Sequence, residues 1–235
     1  MTGVRRIRSY VRRDSRLTRS QARAIEVLWP RYGLEPGYPF DPLVAFGRNA
    51  PMTLEIGFGD GSNLATLART FPDEDFLGID VYQPGIGALL ARLNRERIEN
   101  TRLYAADASE ILESAFPPRV FSRVLIFFPD PWPKRRHHKR RLVQPAFLQQ
   151  LARVLRPGGQ LHLATDDEHY AGHMRACLEA AQAYTLSSFG ADQGSRLRES
   201  TRFERRGRRL GHAIYDLVAV RVEHPGAQVH DASVE

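Results

Sequence analysis

Three acidic residues stand at matching points of three predicted strand–helix units. Glu55, Asp80 and Asp107 each lie at or just after the end of a short apolar segment typical of a β-strand. Because the carboxyl ends of parallel strands share one edge of a sheet, these carboxylates should lie near one another. Clustered negative charge disfavours a pyrophosphate and suits a ligand with a cationic end and sugar hydroxyls. Alternatively, each carboxylate caps the helix after it, and this alternative weighs most at Asp107.

A glycine-rich turn follows the first of these strands. Gly57, Gly59 and Gly61 alternate with other residues before a predicted helix, and glycine there permits a tight turn and close approach of a ligand to the backbone. The G-x-G-x-G spacing differs from the G-x-G-x-x-G of dinucleotide-binding folds. Asp80 follows the turn by about 20 residues, where those folds place an acid on ribose hydroxyls. S-adenosylmethionine, a sulfonium with a ribose and no phosphate, fits this pattern.

The segment after the fourth predicted strand combines an acid, an aromatic ring and cations. Prolines alternate with Asp130 and Trp132 in PDPWP, residues 129–133, and they predict a rigid loop because each restricts its own φ and its neighbour. Trp132 is placed either to stack on a base or to pack, and packing is the commoner fate. The basic segment, residues 134–141 with sequence KRRHHKRR, follows at once. Its two histidines lack a third ligand, so we expect phosphate or surface contacts and no metal site.

The charge of the chain is concentrated in three places. The 235 residues carry a net charge of +7. Residues 1–20, 134–141 and 196–209 carry +6, +6 and +5, which leaves −10 for the other 193 residues. An acidic body with three basic patches predicts contact with the phosphates of a nucleic acid. For any single patch, a solvated surface is an equally good explanation.

The elements that must position these residues alternate regularly along the chain. Strand–helix alternation predicts a doubly wound α/β fold: a mostly parallel, seven-stranded Rossmann-like sheet with helices on both faces. A first helix is expected over 20–29 with Ser20 as its cap, and a loop over 30–51. The predicted strands are 52–56, 75–79, 101–105, 124–128 within the segment 119–128, 160–164 after a turn at 156–159, 184–189 and 213–222.

The length and composition of the chain limit its class. The single cysteine, Cys177, excludes an internal disulfide framework, and no apolar run approaches the roughly 18 residues of a membrane span. We expect a flexible basic arm over 1–20, one catalytic domain over 21–222 and a tail over 223–235. Because no secretory apolar segment follows Met1, we expect a cytoplasmic protein without a membrane partner, as a monomer or a homodimer.

Four motifs occur in order along the chain. They are FPDPWPK at 128–134 with the basic segment, GIDVYQPGIG at 78–87, ATD at 164–166, and TRFERRG at 201–207 with GH at 211–212. Together they closely resemble the motifs of the bacterial tRNA (guanine-N7-)-methyltransferases, a family of class I S-adenosylmethionine-dependent enzymes, over about residues 40–222. The departures are minor: Asp80 replaces a frequent Glu, Arg202 a frequent Lys, and Asp167 an expected aromatic residue.

The resemblance implies methylation at N7 of guanosine in tRNA, at position 46 of the variable loop, with Asp130 as the catalytic residue. It implies that the cofactor, S-adenosylmethionine, contacts Glu55, Gly57, Gly59, Gly61, Asp80, Asp107 and Asp130. The implied substrate contacts are Lys134, Asp166, Thr201, Arg202, Phe203 and Glu204. The implied RNA contacts are Arg136, His137, His138, Lys139, Arg140 and Arg141. The resemblance leaves open whether Asp130 acts chemically or only positions the guanine.

Three other functions compete with this interpretation. A methyltransferase acting on another RNA, a protein or a small molecule would share the cofactor site, and methyl transfer to total tRNA separates it from the first hypothesis. A nucleotide- and RNA-binding module without catalysis would bind both partners and transfer nothing. An NAD-dependent oxidoreductase is disfavoured by the G-x-G-x-G spacing.

Overall fold

Seven strands form one sheet in the computed structural model, which describes residue 9 and residues 16–191 and 213–223. The strands are β1 Met52–Ile56, β2 Asp75–Asp80, β3 Thr101–Ala105, β4 Phe121–Phe127, β5 Leu155–Thr165, β6 Tyr184–Ala191 and β7 Tyr215–Arg221. The α-helices are α1 Arg19–Tyr32, α2 Pro42–Phe46, α3 Ser62–Thr70, α4 Gln83–Glu96, α5 Ala108–Ser114, α6 Pro145–Val154 and α7 Glu168–Ala180. A 3₁₀ helix spans Arg135–Arg140.

The strand order is β3-β2-β1-β4-β5-β7-β6. Strands β1 to β5 pair in parallel, and only β7 runs against its neighbours β5 and β6. The predicted α/β class and its mostly parallel seven-stranded sheet are therefore confirmed. Strand β2 lies on one side of β1 and β4 lies on the other, so the strand order reverses its direction at β1. Ligands of such sheets bind at this switch in strand order.

Two apolar layers cover the sheet. One contains Leu64 of α3 and Leu89 of α4, together with Ala24 of α1. The other contains Phe147 of α6 and Tyr170 of α7, together with residues of α5. In the part of the chain described, no helix has the length and hydrophobicity to cross a bilayer.

The first helix differs from its prediction at both ends. The cap is Thr18, not Ser20: Thr18 Oγ1 accepts from the Gln21 backbone, and the Gln21 side chain accepts from the Thr18 backbone. The predicted end at residue 29 is also wrong, because the helix runs through Pro30 to a fully buried Tyr32. Burial of this ring therefore outweighs the hydrogen bond that a late proline removes.

The predicted loop over 30–51 contains a second short helix. Asp41 caps α2 by accepting from the backbone N–H of Leu43, Pro42 occupies its first turn, and Gly47 ends it with φ 70°. These are ordinary helix start and stop residues. At five residues the helix is too short to show an apolar period.

The ends of the central strands decide where the site lies. Strands β1 and β3 have the predicted bounds, whereas β4 ends at Phe127 because Phe128 turns to φ 52°. The turn predicted at 156–159 lies inside β5 as an irregular stretch, with Gly158 at φ 75° and a shifted register against β4.

Candidate active site

Five carboxylates follow the strand order along one edge of the sheet, which we call the carboxyl edge. In the order β3, β2, β1, β4 and β5, the acids within three residues of the strand ends are Asp107, Asp80, Glu55, Asp130 and Asp166. The first three were expected to gather from strand positions alone. The structure adds the order, which places Glu55 at the centre, between the acids on either side of the switch point.

The glycine turn leaves room for a ligand beside the backbone. Gly57, Gly59 and Gly61 have φ of 74°, 60° and 72°, a region that other residues rarely adopt. A Cβ at Gly57 or Gly59 would meet nothing within 4 Å, whereas a Cβ at Gly61 would lie 2.6–2.7 Å from atoms of Leu89. The first two glycines therefore border open space, and the third allows α3 and α4 to pack.

Asp80 holds the glycine turn in place. Its carboxylate accepts from the backbone N–H of Gly59 at 2.8 Å and from that of Tyr82 at 2.9 Å. The acid thus joins the end of β2 to the turn after β1. Its half-buried side chain keeps an exposed part at the carboxyl edge, where a ribose could bind.

Glu55 is a buried carboxylate beneath the turn. Only 3% of its surface is exposed, and Asn63 Nδ2 donates to Glu55 Oε2 at 3.1 Å. Burial raises the pKa of Glu55 to about 8; the Asn63 hydrogen bond opposes this rise, and the nearby carboxylates of Asp80 and Asp60 add to it. A pKa in that range favours the protonated form of the carboxyl at neutral pH.

Asp107 of the carboxyl edge and Asp167, which follows Asp166, are helix caps. Asp107 accepts from the backbone N–H of Ser109 at 2.9 Å and caps α5, as the structural alternative predicted for this residue. Asp167 accepts from the backbone N–H of Tyr170 at 2.7 Å and caps α7. This role accounts for an acid at 167 where an aromatic residue was expected.

The proline loop, residues 129–133, is fixed just before its start and at its middle residue. Phe128 donates its backbone N–H to the Ala164 carbonyl at 2.8 Å, and Arg141 Nε donates to the Pro131 carbonyl at 2.9 Å. Phe128 and Trp132 adopt φ of 52° and 47°, which is uncommon for residues with bulky side chains. Asp130 is half-buried within this rigid loop, and strain of this kind collects at functional sites.

Trp132 lies at the surface of the domain and not in its core, so the favoured prediction of core packing is wrong. The ring is half-buried. Its face lies 4.9 Å from the Arg140 guanidinium carbon, its edge contacts His137, and its Nε1 donates to the Ser9 carbonyl at 2.9 Å. The indole therefore connects the proline loop, the basic segment and the start of the chain.

The basic segment forms a 3₁₀ helix that presents most of its cations to solvent. Lys134, Arg136, Lys139 and Arg140 are exposed. Desolvation, and then the surrounding arginines and lysines, lower the pKa of His137, so its ring is neutral at neutral pH. Arg141 differs: it is only 2% exposed. Its burial sets it apart from the exposed cations of the segment, and its assignment as an RNA contact stays a prediction.

A cavity of about 260 Å³ opens at the β2–β3 side of the carboxyl edge. Its lining includes Ala105, the last residue of β3, and Gln83, the first residue of α4, while α1 covers it with Ile25 and Trp29. Trp29 is fixed by donation of its indole N–H to Glu35 at 2.8 Å.

Part of the predicted site lies outside the described residues. Thr201, Arg202, Phe203 and Glu204 belong to this part, as does the third basic patch, residues 196–209. Their substrate contacts remain predictions. Asp166 is described, half-buried, directly after β5.

Comparison with known proteins identifies the family of this chain. A family model described as "Putative methyltransferase" matches residues 49–217. A tRNA (guanine-N(7)-)-methyltransferase of Methylococcus capsulatus is 51% identical over 91% of this chain and 94% of its own. Its counterpart in Alkalilimnicola ehrlichii is 51% identical over 96% and 97%. The chain belongs to the tRNA (guanine-N7-)-methyltransferase family. The resemblance inferred from the four motifs is thereby confirmed.

The fold has relatives well beyond this family. An rRNA methylase from Streptococcus thermophilus superposes with a TM-score of 0.52, covering 89% of this chain and all of its own at 13% identity. At that identity the likeness concerns the fold alone. The sheet is therefore shared with another methyltransferase.

The structure also shows two site residues that sequence reasoning missed. Asn63 bonds Glu55 from the first turn of α3, and a buried polar residue at the start of an otherwise apolar helix face could have signalled it. His169 accepts a hydrogen bond from Arg141 in the first turn of α7. Arg141 and His169 are 28 residues apart in the sequence, and no local pattern predicts this contact.

Proposed function

We propose that this protein transfers a methyl group from S-adenosylmethionine to N7 of a guanosine in tRNA. The observation that carries the proposal is the position of the proline loop. It joins the row of carboxylates at the carboxyl edge directly to an exposed run of cations. The acids suit a cationic cofactor and the donor edge of guanine, and the cations suit RNA phosphates.

The residues at the carboxyl edge fit the cofactor. The backbone at Gly57 and Gly59 borders open space that a Cβ would fill. Beside it, buried Glu55 lacks a cationic partner among the described residues, and Asp80 is placed for ribose hydroxyls. When bound, the cofactor supplies a methyl group on a positively charged sulfur. Glu55, Asp80 and Asp107 would hold its amino and ribose groups.

The chemistry requires positioning more than proton transfer. N7 of guanine has an exposed lone pair at neutral pH, so no general base is needed to form the nucleophile. The reaction is an in-line displacement, for which correct orientation of the two partners supplies most of the acceleration. We assign Asp130 to the N1 and N2 donors of guanine, with Asp166 or Glu204 beside it.

A carboxylate at that edge also has an electrostatic effect. Methylation leaves the base positively charged, and a fixed negative group stabilises charge as it develops. It selects guanine as well, because adenine has no matching pair of donors. Lys134 would contact a neighbouring phosphate or the O6 side of the base.

The exposed cations provide affinity without reading sequence. Arg136, Lys139 and Arg140 on the 3₁₀ helix would bind backbone phosphates next to the target base.

We further propose that the reaction takes place in the cytoplasm, in a monomer or a homodimer. The proposed domain organisation, an arm over 1–20, a catalytic domain over 21–222 and a tail over 223–235, changes at one point: Thr18, the cap of α1, belongs with the domain.

The product identifies the reaction. The protein is incubated with unmodified tRNA and methyl-labelled S-adenosylmethionine, and the RNA is then cleaved with aniline at 7-methylguanosine. We expect one labelled cleavage site in the variable loop. Label at another atom or on another RNA would support a methyltransferase of different specificity, and binding of both partners without label would support a non-catalytic module.

A further inference from the structure

One cation of the basic segment is buried while its neighbours are exposed. Arg141 is 2% exposed, whereas Lys139 and Arg140 are open to solvent. Burial of a guanidinium away from water costs several kcal/mol unless it is paired. A residue that only bound phosphate would avoid this cost, so the contacts that Arg141 makes inside the protein need an explanation.

Two of the three nitrogens of this guanidinium donate to different segments, and the third, Nη1, is buried without a hydrogen-bond partner among the described residues. Nε donates to the Pro131 carbonyl at 2.9 Å. Nη2 donates to His169 Nδ1 at 3.0 Å. The guanidinium carbon lies 4.8 Å from the centre of the Tyr170 ring, close enough for a cation–π contact. Arg141 therefore contacts the proline loop through Nε, and it contacts α7 through Nη2 and through the Tyr170 ring.

These contacts join two acidic segments of the carboxyl edge. Pro131 follows Asp130 directly in the proline loop, and His169 and Tyr170 lie in the first turn of α7, just after Asp166. The backbone on the other side is fixed too, because the Arg141 N–H donates to the His138 carbonyl at 3.0 Å. Movement of the guanidinium would release the loop from α7 and change the separation of the two carboxylates.

We infer that Arg141 is a positioning residue for methyl transfer, which holds the Asp130 loop against the helix that follows Asp166, and not a phosphate contact. This inference rests on the proposed function and deepens it by dividing the basic segment into exposed RNA contacts and one internal clamp. Lysine could not replace the clamp, since a single ammonium cannot bond Pro131 and His169 in this geometry while stacking on Tyr170.

Two substitutions of Arg141 and one of Arg140 distinguish a positioning role from a phosphate contact. In Arg141→Ala and Arg141→Lys, we expect the single-turnover rate at saturating tRNA and cofactor to fall about 10- to 100-fold, the loss expected when a reacting group is displaced by about 1 Å. The tRNA affinity should stay within about threefold and its salt slope should not change. In Arg140→Ala the salt slope should instead fall by about 0.7–0.9, the value for one phosphate contact.

The Lys variant is decisive because it keeps the charge. A phosphate contact would tolerate it, so wild-type rate in Arg141→Lys would overturn the inference, as would a reduced salt slope in Arg141→Ala. Arg95→Ala, an exposed arginine on α4, controls for loss of a positive charge and should behave as wild type.

Folding and the proposed function are checked separately. If Arg141→Ala is unfolded by circular dichroism, His169→Ala replaces it, because His169 is exposed and removes one partner of the clamp. It should reduce the rate without changing tRNA affinity, and an unchanged rate would overturn the inference. Failure of the wild-type protein to methylate tRNA would refute the proposed function instead, and this is measured before any variant.

Discussion

Binding of the cofactor should become tighter with pH because it must ionise Glu55. The pKa of this carboxyl is raised from an ordinary 4.5 to about 8, first by burial and then by the neighbouring acids. From that value, roughly 1% of Glu55 is ionised at pH 6, about 10% at pH 7 and about half at pH 8. If the cationic end of S-adenosylmethionine binds only the ionised form, its affinity should rise about 50-fold between pH 6 and pH 8.

Glu55→Gln tests this reasoning with little change of shape. The amide cannot ionise, but its oxygen can still accept from Asn63, so the first turn of α3 should keep its structure. We expect weaker binding at pH 8 and loss of the 50-fold dependence. The cofactor's own amino group titrates equally in both proteins, so the difference between them reports Glu55.

Calorimetry measures the proton directly. Titration of S-adenosylmethionine at pH 7 in two buffers of different ionisation enthalpy should show about 0.9 more protons released by wild type than by Glu55→Gln. Equal proton release and parallel pH profiles in the two proteins would refute the reasoning. Glu55 would then either be ionised already or lie away from the cation.

Ionisation of Glu55 also affects the stability of the protein without cofactor. As pH rises, the free energy of unfolding should fall, whereas cofactor affinity should rise. The folded-state pKa of about 8 lies above the ordinary 4.5, so the folded state binds more protons between these values. The free energy of unfolding should therefore be unaffected below about pH 4.5 and should fall by up to a few kcal/mol as pH rises to 8. Urea titrations of wild type and Glu55→Gln should differ in this slope.

Four further variants test the glycine turn, the cap of α7 and the basic segment. Gly61→Ala should lower the free energy of unfolding by about 2–4 kcal/mol, because its Cβ would overlap Leu89 and its φ is 72°. Gly59→Ala should cost only about 1–2 kcal/mol but weaken cofactor binding, since its Cβ enters the open space; urea titration and calorimetry compare them, and equal stability losses would contradict this. Asp167→Ala should cost about 1 kcal/mol through loss of the α7 cap, measured by urea titration, and an unchanged midpoint would contradict it. Replacing Lys139 and Arg140 together by Ala should lower the salt slope of tRNA binding by about 1.4–1.8, with cofactor affinity unchanged; weaker cofactor binding would show that the pair is structural.

The central sheet could be predicted because its signals are local and repeated. The apolar strands, the glycine turn and the acids at the strand ends all occur within a few residues of one another, so β1 and β3 were correct to the residue. The Thr18–Gln21 capping box was also local, but Ser20 at the neighbouring position offered a competing cap. The short α2 was missed because one turn of helix has no period.

The burial of one arginine within the basic segment could not be predicted in the same way. Six cations within eight residues give no indication that one of them is buried. The 3₁₀ helix decides this, because it carries Arg140 to the outside over Trp132 and leaves Arg141 beneath the proline loop. Its partners His169 and Tyr170 come from a distant helix, and only the fold brings them together. Trp132 was misjudged for a related reason, since arginine and histidine side chains provide its packing at the surface.

The central claim is that a carboxylate in the proline loop acts on the base while the cations hold the RNA. Single-turnover methylation by Asp130→Asn, with tRNA and S-adenosylmethionine both saturating, tests this claim most directly. The amide has a similar shape but no charge, and loss of one preorganised electrostatic group predicts a rate about 100- to 1000-fold below wild type, with tRNA affinity nearly unchanged. A near-wild-type rate under these conditions would contradict the claim and leave Asp130 a structural residue of the loop.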